Sequence, residues 1–256
     1  MSKLNVLSLF SGIGAFEKAL DNLGISYNLL AYCEIDKYAS KSYSIIHSVS
    51  EDKNLKDVTN ITKNDITDRV DLITYGFPCQ DISNAGKQQG FIDEDGNRTR
   101  SGLFFEALRI INDYKPKFAI AENVKALTSK KFKNEFETVL SSLDEIGYNN
   151  YWAVLNAKDY GIPQNRERVF IISIRKDIDR GFEFPSAIPL NLILQDMLDN
   201  NVDEKYYLST PMIDRLYTTN YNSGKYKNRV TNESDIIGTL CARDYKDPKC
   251  VVLNHE

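Results

Sequence analysis

The sequence predicts an α/β protein: a mainly parallel sheet with helices on both faces, followed by a small irregular domain. Three observations carry that expectation. Over the first 175 residues, short β-like apolar runs alternate with helical stretches, the pattern of repeated βαβ units. Glycines stand where the first such run turns into a helix, in Phe10-Ser11-Gly12-Ile13-Gly14. After Arg180 the composition changes: Phe184-Pro185-Ser186 and Ile188-Pro189 read as a linker, and the Asn- and Tyr-rich remainder has weak periodicity. The domains are therefore expected at 1–180 and 185–256.

Taken in order, Leu4 to Phe10 reads as a buried strand and the residues after Gly14 as a helix through about Leu23. Tyr27 to Cys33 is a second strand, and Lys37 to His47 a helix with an apolar face. A third strand region is expected before Asp57. Asp71 to Tyr75 is a strand ending in Gly76-Phe77-Pro78-Cys79, and the polar stretch from Gln80 to Arg100 is long enough for a loop to suggest function. Helices at Leu103–Tyr114 and Lys131–Ile146 flank a strand at Lys117–Ala121 that ends at Glu122-Asn123. Tyr151–Leu155 and Val169–Ile174 close the sheet.

Composition narrows the class. Hydrophobic residues make up 42% and charged residues 27%, ordinary for a soluble globular chain. No apolar run approaches the ~20 residues of a bilayer span, and no secretory signal precedes the first strand, so a cytoplasmic setting is expected. The four cysteines, Cys33, Cys79, Cys241 and Cys250, lack the spacing of a zinc site or disulfide framework. The net charge of −4 does not favour a nucleic-acid partner, but a cleft needs positive potential only locally. From Lys205 onward eight Lys/Arg face six Asp/Glu, a weak excess that a solvated surface explains equally well.

Several residues have chemistry suited to a nucleotide fold. Gly12 and Gly14 would let the backbone pass close to a ligand. The position where a dinucleotide fold needs a small third residue holds Glu17, a poor neighbour for phosphate, so a cationic, phosphate-free cofactor fits better. Glu34, at the end of the second strand, is either a ribose ligand or a helix N-terminal acid. Asp57-Val58 would meet an adenine edge or form a surface turn. Cys79 follows a proline at a strand end, a partly exposed setting in which a thiolate can be favoured; the other three cysteines read as structural. Glu122 reads as a cap, an ion-pair partner, or an acid beside the nucleophile. Gln164-Asn165-Arg166-Glu167-Arg168 reads as surface charge or as a base or phosphate contact.

In order, Phe10-x-Gly12-x-Gly14, Glu34, Asp57, Gly76-Phe77-Pro78-Cys79-Gln80, Gly102-Leu103-Phe104-Phe105, Glu122-Asn123-Val124 and Gln164-x-Arg166-x-Arg168 resemble the DNA cytosine-5 methyltransferase family of bacterial or phage type. The resemblance covers roughly residues 4 to 175. It implies a Rossmann-like fold dependent on S-adenosyl-L-methionine, with 185–256 as a target-recognition domain. It also implies that Cys79 adds to carbon 6 of a flipped cytosine and activates carbon 5. Glu122 would act at ring nitrogen 3 and Arg168 at the ring carbonyl, supported by Arg166. Phe10, Gly12, Gly14, Glu34, Ile35, Asp57, Val58, Pro78 and Leu103 would form the cofactor pocket. Gln80, Ser83 and Lys87 of the long loop, with Thr239 and Arg243 of Ile236–Arg243, would contact double-stranded DNA.

Two C-terminal motifs of full-length family members, a Pro-Arg-Glu-type segment and a Gln-x-Gly-Asn-Ser-type segment, have no counterpart here. The expectation is a second subunit, a truncated chain, or a protein that works without them. A tRNA cytosine-5 methyltransferase of the same fold and a non-catalytic DNA-binding remnant or subunit are the alternative functions. Restriction-modification or phage DNA protection is the expected setting.

Overall fold

The computed structural model describes residues 3–78, 91, 99–218, 230–241, 244 and 249–253. In chain order the elements are β1 (Leu4–Leu9), α1 (Ala15–Asn22), β2 (Tyr27–Cys33), α2 (Lys37–His47), β3 (Leu72–Tyr75), α3 (Phe104–Tyr114), β4 (Phe118–Val124), α4 (Lys133–Glu145), β5 (Tyr148–Asn156), β6 (Gln164–Asn165), β7 (Glu167–Arg175), α5 (Thr210–Thr218), β8 (Val230–Asn232), β9 (Ile237–Gly238) and β10 (Cys250–Val252). Two compact units emerge, Met1–Val154 with Arg168–Phe184, and Leu155–Glu167 with Pro185–Glu256.

A six-stranded sheet has the order β2-β1-β3-β4-β7-β5. β1 pairs parallel with β2 and β3, and β3 parallel with β4. β7 then lies antiparallel to β4, with Val124 opposite Arg168 and Phe118 opposite Ile174. The chain goes from β1 to one side (β2) and returns to the other (β3), so the switch in direction falls at the carboxyl ends of β1 and its neighbours. In such sheets that crevice is where ligands bind.

Strand alternation sorts the core onto two faces. Leu7, Leu9, Ile73, Tyr75, Ala119 and Ala121 pack with Phe104, Ala107, Ile110 and Ile111 of α3 and Phe136, Val139 and Leu143 of α4. On the opposite face Val6, Leu29, Tyr32 and Leu72 pack with Tyr43 of α2, and Leu20 of α1 joins them at its edge. Helices thus cover both faces. β3 is buried at all four positions, as a central parallel strand must be.

Local chemistry sets the element ends. Asp36 caps α2, accepting from Tyr38 and Ala39 N–H groups at 2.9 Å each, and Ser48 ends it in the left-handed region. Lys115, at φ 48, ends α3 directly before Pro116. The expected third strand region before Asp57 does not form. A 3-10 turn at Glu51–Lys53 and a single bridge between Tyr32 and Asn54 stand there instead, and Lys56 at φ 62 breaks any extended run.

The strands lying wholly in the second unit form only short pairs among its described residues. β6 pairs parallel with β9, and β8 with β10, each a short two-stranded piece. Among the described residues no helix is long and apolar enough to cross a membrane.

Candidate active site

β1 delivers the chain to the crevice and then turns sharply. Phe10 sits at φ 53, a left-handed conformation that costs a non-glycine residue about 1 kcal/mol or more and persists only where neighbours impose it. Those neighbours are visible: the N–H and hydroxyl of Ser11 both donate to the Cys33 carbonyl of β2, at 3.0 and 3.1 Å. Gly12 and Gly14 are glycines for different reasons. At Gly12, φ 55, a Cβ would meet nothing within 4 Å, so the requirement is backbone conformation beside open space. At Gly14, φ 85, a Cβ would lie 2.1 Å from Nε2 of His47, so close packing adds to the conformational demand.

Glu34 clamps this turn. One carboxylate oxygen accepts from the Gly12 N–H and the other from the Asp36 N–H, each at 2.8 Å. Asn54 holds the Glu34 backbone from both sides: its Oδ1 accepts from the Glu34 N–H at 3.1 Å and its Nδ2 donates to the Glu34 carbonyl at 2.9 Å. Beside it Ile35 is 76% exposed, and Ile13 on the turn is 56% exposed, two apolar side chains that water covers. Asp57 caps a 3-10 turn, its Oδ1 accepting from the Thr59 N–H and hydroxyl. Val58 is buried in the core. Arg109 of α3 braces this turn through the carbonyls of Val58 and Ile61, at 3.1 and 2.8 Å. Burial first, and then the charges of Glu34, Asp57 and Asp65, push the Cys33 thiol well above its ordinary pKa. Cys33, fully buried at the carboxyl end of β2, is an inert core thiol. Glu17 is not part of the turn's open side. It is 1% exposed, so any effect on a ligand is through charge rather than contact.

A second group of residues assembles at the ends of β3, β4 and β7. Gly76 lies against Glu122: a Cβ there would stand 3.5 Å from the Glu122 carbonyl oxygen and 3.8 Å from Oε2. Asn123, buried, donates from Nδ2 to the Phe77 carbonyl at 3.1 Å, tying the segment before Cys79 to β4. Phe77 is locked among Tyr75, Phe91 and Phe104, and Leu103 packs partly buried against the same core. Across the antiparallel pair, Arg168 Nε meets Glu122 Oε1 at 2.9 Å, with side chains 19% and 28% exposed. The pairing is diagonal, because Glu122 stands opposite Phe170 and Arg168 opposite Val124. Half-buried Pro78 is the last described residue before Cys79. Cys79, Gln80, Ser83 and Lys87 lie outside the described residues.

In the second unit, the Arg166 N–H donates to Asn156 Oδ1 at 3.0 Å, and the Arg166 carbonyl accepts from the Ala157 N–H at 3.0 Å. The β6–β9 pair brings Thr239 to this segment, where its hydroxyl donates to the Asn165 carbonyl at 2.8 Å. Cys241 is exposed rather than packed, its thiol 3.6 Å from the Thr239 carbonyl. Arg243 lies outside the described residues.

A family model described as C-5 cytosine-specific DNA methylase matches residues 4–249. The chain belongs to that family. Among relatives of this chain, the orphan methyltransferase M.SPRI of Bacillus phage SPR is 37% identical over 91% of the chain and 59% of its own length. The type II methyltransferase M1.ScrFI of Lactococcus lactis subsp. cremoris is 35% identical over the whole chain and 65% of its own length. The first relatives are matched over only 48% to 60% of their lengths. The fold is that of the Entamoeba histolytica methyltransferase EhMeth, with TM-score 0.74 at 21% identity over 98% of this chain and 74% of that one. It is equally that of the S. pombe Dnmt2 methyltransferase, with TM-score 0.71 at 20% identity over 99% and 77%.

Three residues around these turns carry no motif of the family pattern. Asn54 wires Glu34, His47 backs Gly14, and Arg109 braces the turn after Asp57. Asn54 and Arg109 gave no sequence signal, since each works through backbone groups remote in sequence. His47 did: it is one of only two histidines, and it ends a helix.

Proposed function

We propose that this chain transfers a methyl group to carbon 5 of a flipped-out cytosine in double-stranded DNA. The observation that carries the reading is the Glu122–Arg168 ion pair beside Gly76-Phe77-Pro78. An acid and a guanidinium stand together next to the segment that leads into Cys79, at the carboxyl end of the sheet that holds the glycine turn.

S-adenosyl-L-methionine fits the residues around that turn. Glu34 offers oxygens already oriented by backbone donors, Gly12 leaves open space, Ile35 and Ile13 are uncovered apolar surface, and the surrounding charges are carboxylates suited to a cation. Phe10, Gly14, Asp57, Val58, Pro78 and Leu103 complete the proposed pocket. The cofactor supplies an electrophilic methyl group on a sulfonium.

The chain's own residues supply the rest. The Cys79 thiolate adds to carbon 6 of the cytosine, which makes carbon 5 electron-rich. Glu122 holds or protonates ring nitrogen 3 as that addition proceeds. Arg168 stabilises negative charge on the ring carbonyl oxygen, with Arg166 in support. Once carbon 5 carries the methyl group, its proton passes to solvent water, and the electron pair left behind expels the thiolate and restores the aromatic ring. Flipping the base costs about a few kcal/mol. Gln80, Ser83 and Lys87 contact the DNA, and residues 185–256, including Thr239 and Arg243, read the target. The setting is cytoplasmic DNA protection in a phage or restriction-modification system, and a second subunit is a candidate partner.

The test is a covalent trap. With S-adenosyl-L-methionine and duplex DNA carrying 5-fluorocytosine, the wild-type chain should form a denaturation-resistant adduct and Cys79→Ser none. Labelled methyl incorporated into tRNA but not into duplex DNA would reassign the substrate, and an adduct persisting in Cys79→Ser would remove the nucleophile.

A further inference from the structure

Behind the glycine turn lies a polar cluster that the proposed chemistry does not use, buried at Glu17, Tyr43 and the His47 side chain and open to solvent at Asp21. Glu17 and Asp21 stand one turn apart on α1, and Tyr43 and His47 one turn apart on α2. Tyr43 stacks on Tyr32 with ring centroids 4.0 Å apart and lies 4.7 Å from the His47 ring. Neither Glu17 oxygen nor the Tyr43 hydroxyl meets a hydrogen-bond partner in good geometry. Glu17 is nonetheless near. Burial first, and then the Asp21 and Glu17 charges, push the Tyr27 phenol up to about 12.

His47 is the member of this cluster that reaches the turn. Its side chain is 2% exposed, and its Nε2 stands 3.0 Å from the Ile13 carbonyl oxygen. A carbonyl only accepts, so Nε2 carries a proton in either charge state of the ring. Nδ1 faces Asp21 Oδ2 at 3.9 Å, beyond a hydrogen bond. The same ring fills the space a side chain at Gly14 would need: a Cβ there would lie 2.1 Å from Nε2, 2.7 Å from Cδ2 and 2.9 Å from Cε2 of Tyr43.

We infer that His47 is a positioning residue for the cofactor turn, its Nε2–H fixing the Ile13 carbonyl and its ring fixing where Gly14 can lie. Three anchors then hold four residues: β2 through Ser11, Glu34 through Gly12, and α2 through Ile13 and Gly14. Removing the α2 anchor frees the carbonyl side of the turn while leaving every proposed cofactor ligand in the chain. A looser turn has more conformations to give up on binding, and that loss is paid in affinity. The inference rests on the reading of the turn as the S-adenosyl-L-methionine site.

Two measurements test it. The chain has two histidines, His47 and His255, so an imidazole nitrogen–proton correlation spectrum is readily assigned with His47→Gln. His47 should be protonated at Nε2 across the pH range in which the protein is folded. Calorimetry should then show S-adenosyl-L-methionine bound roughly tenfold more weakly by His47→Met, which keeps bulk but cannot donate. That factor equals about 1.4 kcal/mol. His47→Gln, which restores a donor at that reach, should bind within about threefold of wild type although both variants melt alike. A neutral ring protonated only at Nδ1, or wild-type affinity in His47→Met, overturns the inference while leaving the cofactor reading intact. Absence of any binding by the wild-type chain overturns the cofactor reading and the inference with it.

Discussion

Glu34 and Glu122 are both carboxylates at the carboxyl edge of one sheet, yet they are held in opposite ways. Glu34 accepts from two neutral backbone N–H groups, and its own backbone is fastened on both sides by Asn54. Glu122 meets a guanidinium across an antiparallel strand pair. Backbone donors cannot leave without refolding the turn, so Glu34 is a fixed fixture, suited to orienting a bound molecule. A side-chain cation on the rim can exchange its partner as charge develops nearby, so the Glu122–Arg168 pair is suited to a reaction coordinate. Under the proposed function, the contrast would separate binding from chemistry along one edge of one sheet.

The sharpest way to break that contrast is Glu122→Gln. Methyl transfer to duplex DNA should fall by roughly 10²–10⁴-fold, while S-adenosyl-L-methionine binding by calorimetry stays within about twofold. A comparable loss of cofactor affinity would show that the two carboxylates act as one site. Arg168→Lys keeps the charge but loses the planar fork; single-turnover assays should place it between wild type and Arg168→Ala, which we expect about 100-fold down.

Glu34→Gln reverses the pattern. Cofactor affinity should drop about tenfold, and the denaturant midpoint should report a loss of about 1 kcal/mol as charge-assisted bonds to Gly12 and Asp36 weaken. Methyl transfer at saturating cofactor should change far less than in Glu122→Gln. Asp36→Ala sharpens the point, because the Glu34 carboxylate uses the Asp36 backbone rather than its side chain. Loss of the α2 cap should cost about 1 kcal/mol in urea unfolding, with cofactor affinity nearly unchanged.

Asp179 gives the smallest effect and a pH signature. Bonds from Asn149 Nδ2, the Tyr151 hydroxyl and the Gly181 N–H hold its carboxyl below the ordinary carboxylate range. A depressed folded-state pKa stabilises the fold above the unfolded value of about 3.9, and that contribution fades as pH falls through the lower folded value. Asp179→Asn should therefore be less stable than wild type at pH 7, with the gap narrowing in acid. Urea midpoints at the two pH values measure it, and a gap independent of pH would assign the effect to lost packing.

Much of this was legible in the chain. β2 and α2 occur over the residues expected from apolar patterning, a local signal that the Asp36 cap reinforces in the structure. β4 runs on to Val124, so Glu122 and Asn123 lie inside a strand rather than after one; their pairing with Phe170 and Val169 is non-local and leaves no mark in a short window. The missing third strand has a similar cause. A left-handed Lys56 and the side-chain wiring of Asn54 decide that region, and neither follows from β-propensity. At the glycine turn the residue types were readable, whereas the anchor from His47 came from a helix more than thirty positions away.

The route of the chain through its two compact units has a practical consequence for dissecting the protein. Residues 155–167 leave the first unit and return to it before the chain departs again at 185. β6 within that excursion takes its only described strand partner, β9, from the distal segment. The second unit thus cannot be pruned by a single cut after Phe184, since the amputated remainder would carry an orphaned edge at Gln164-Asn165. Isolating the first unit requires two excisions and a short bridge joining β5 directly to β7, and swapping the second unit between relatives means transplanting both pieces together.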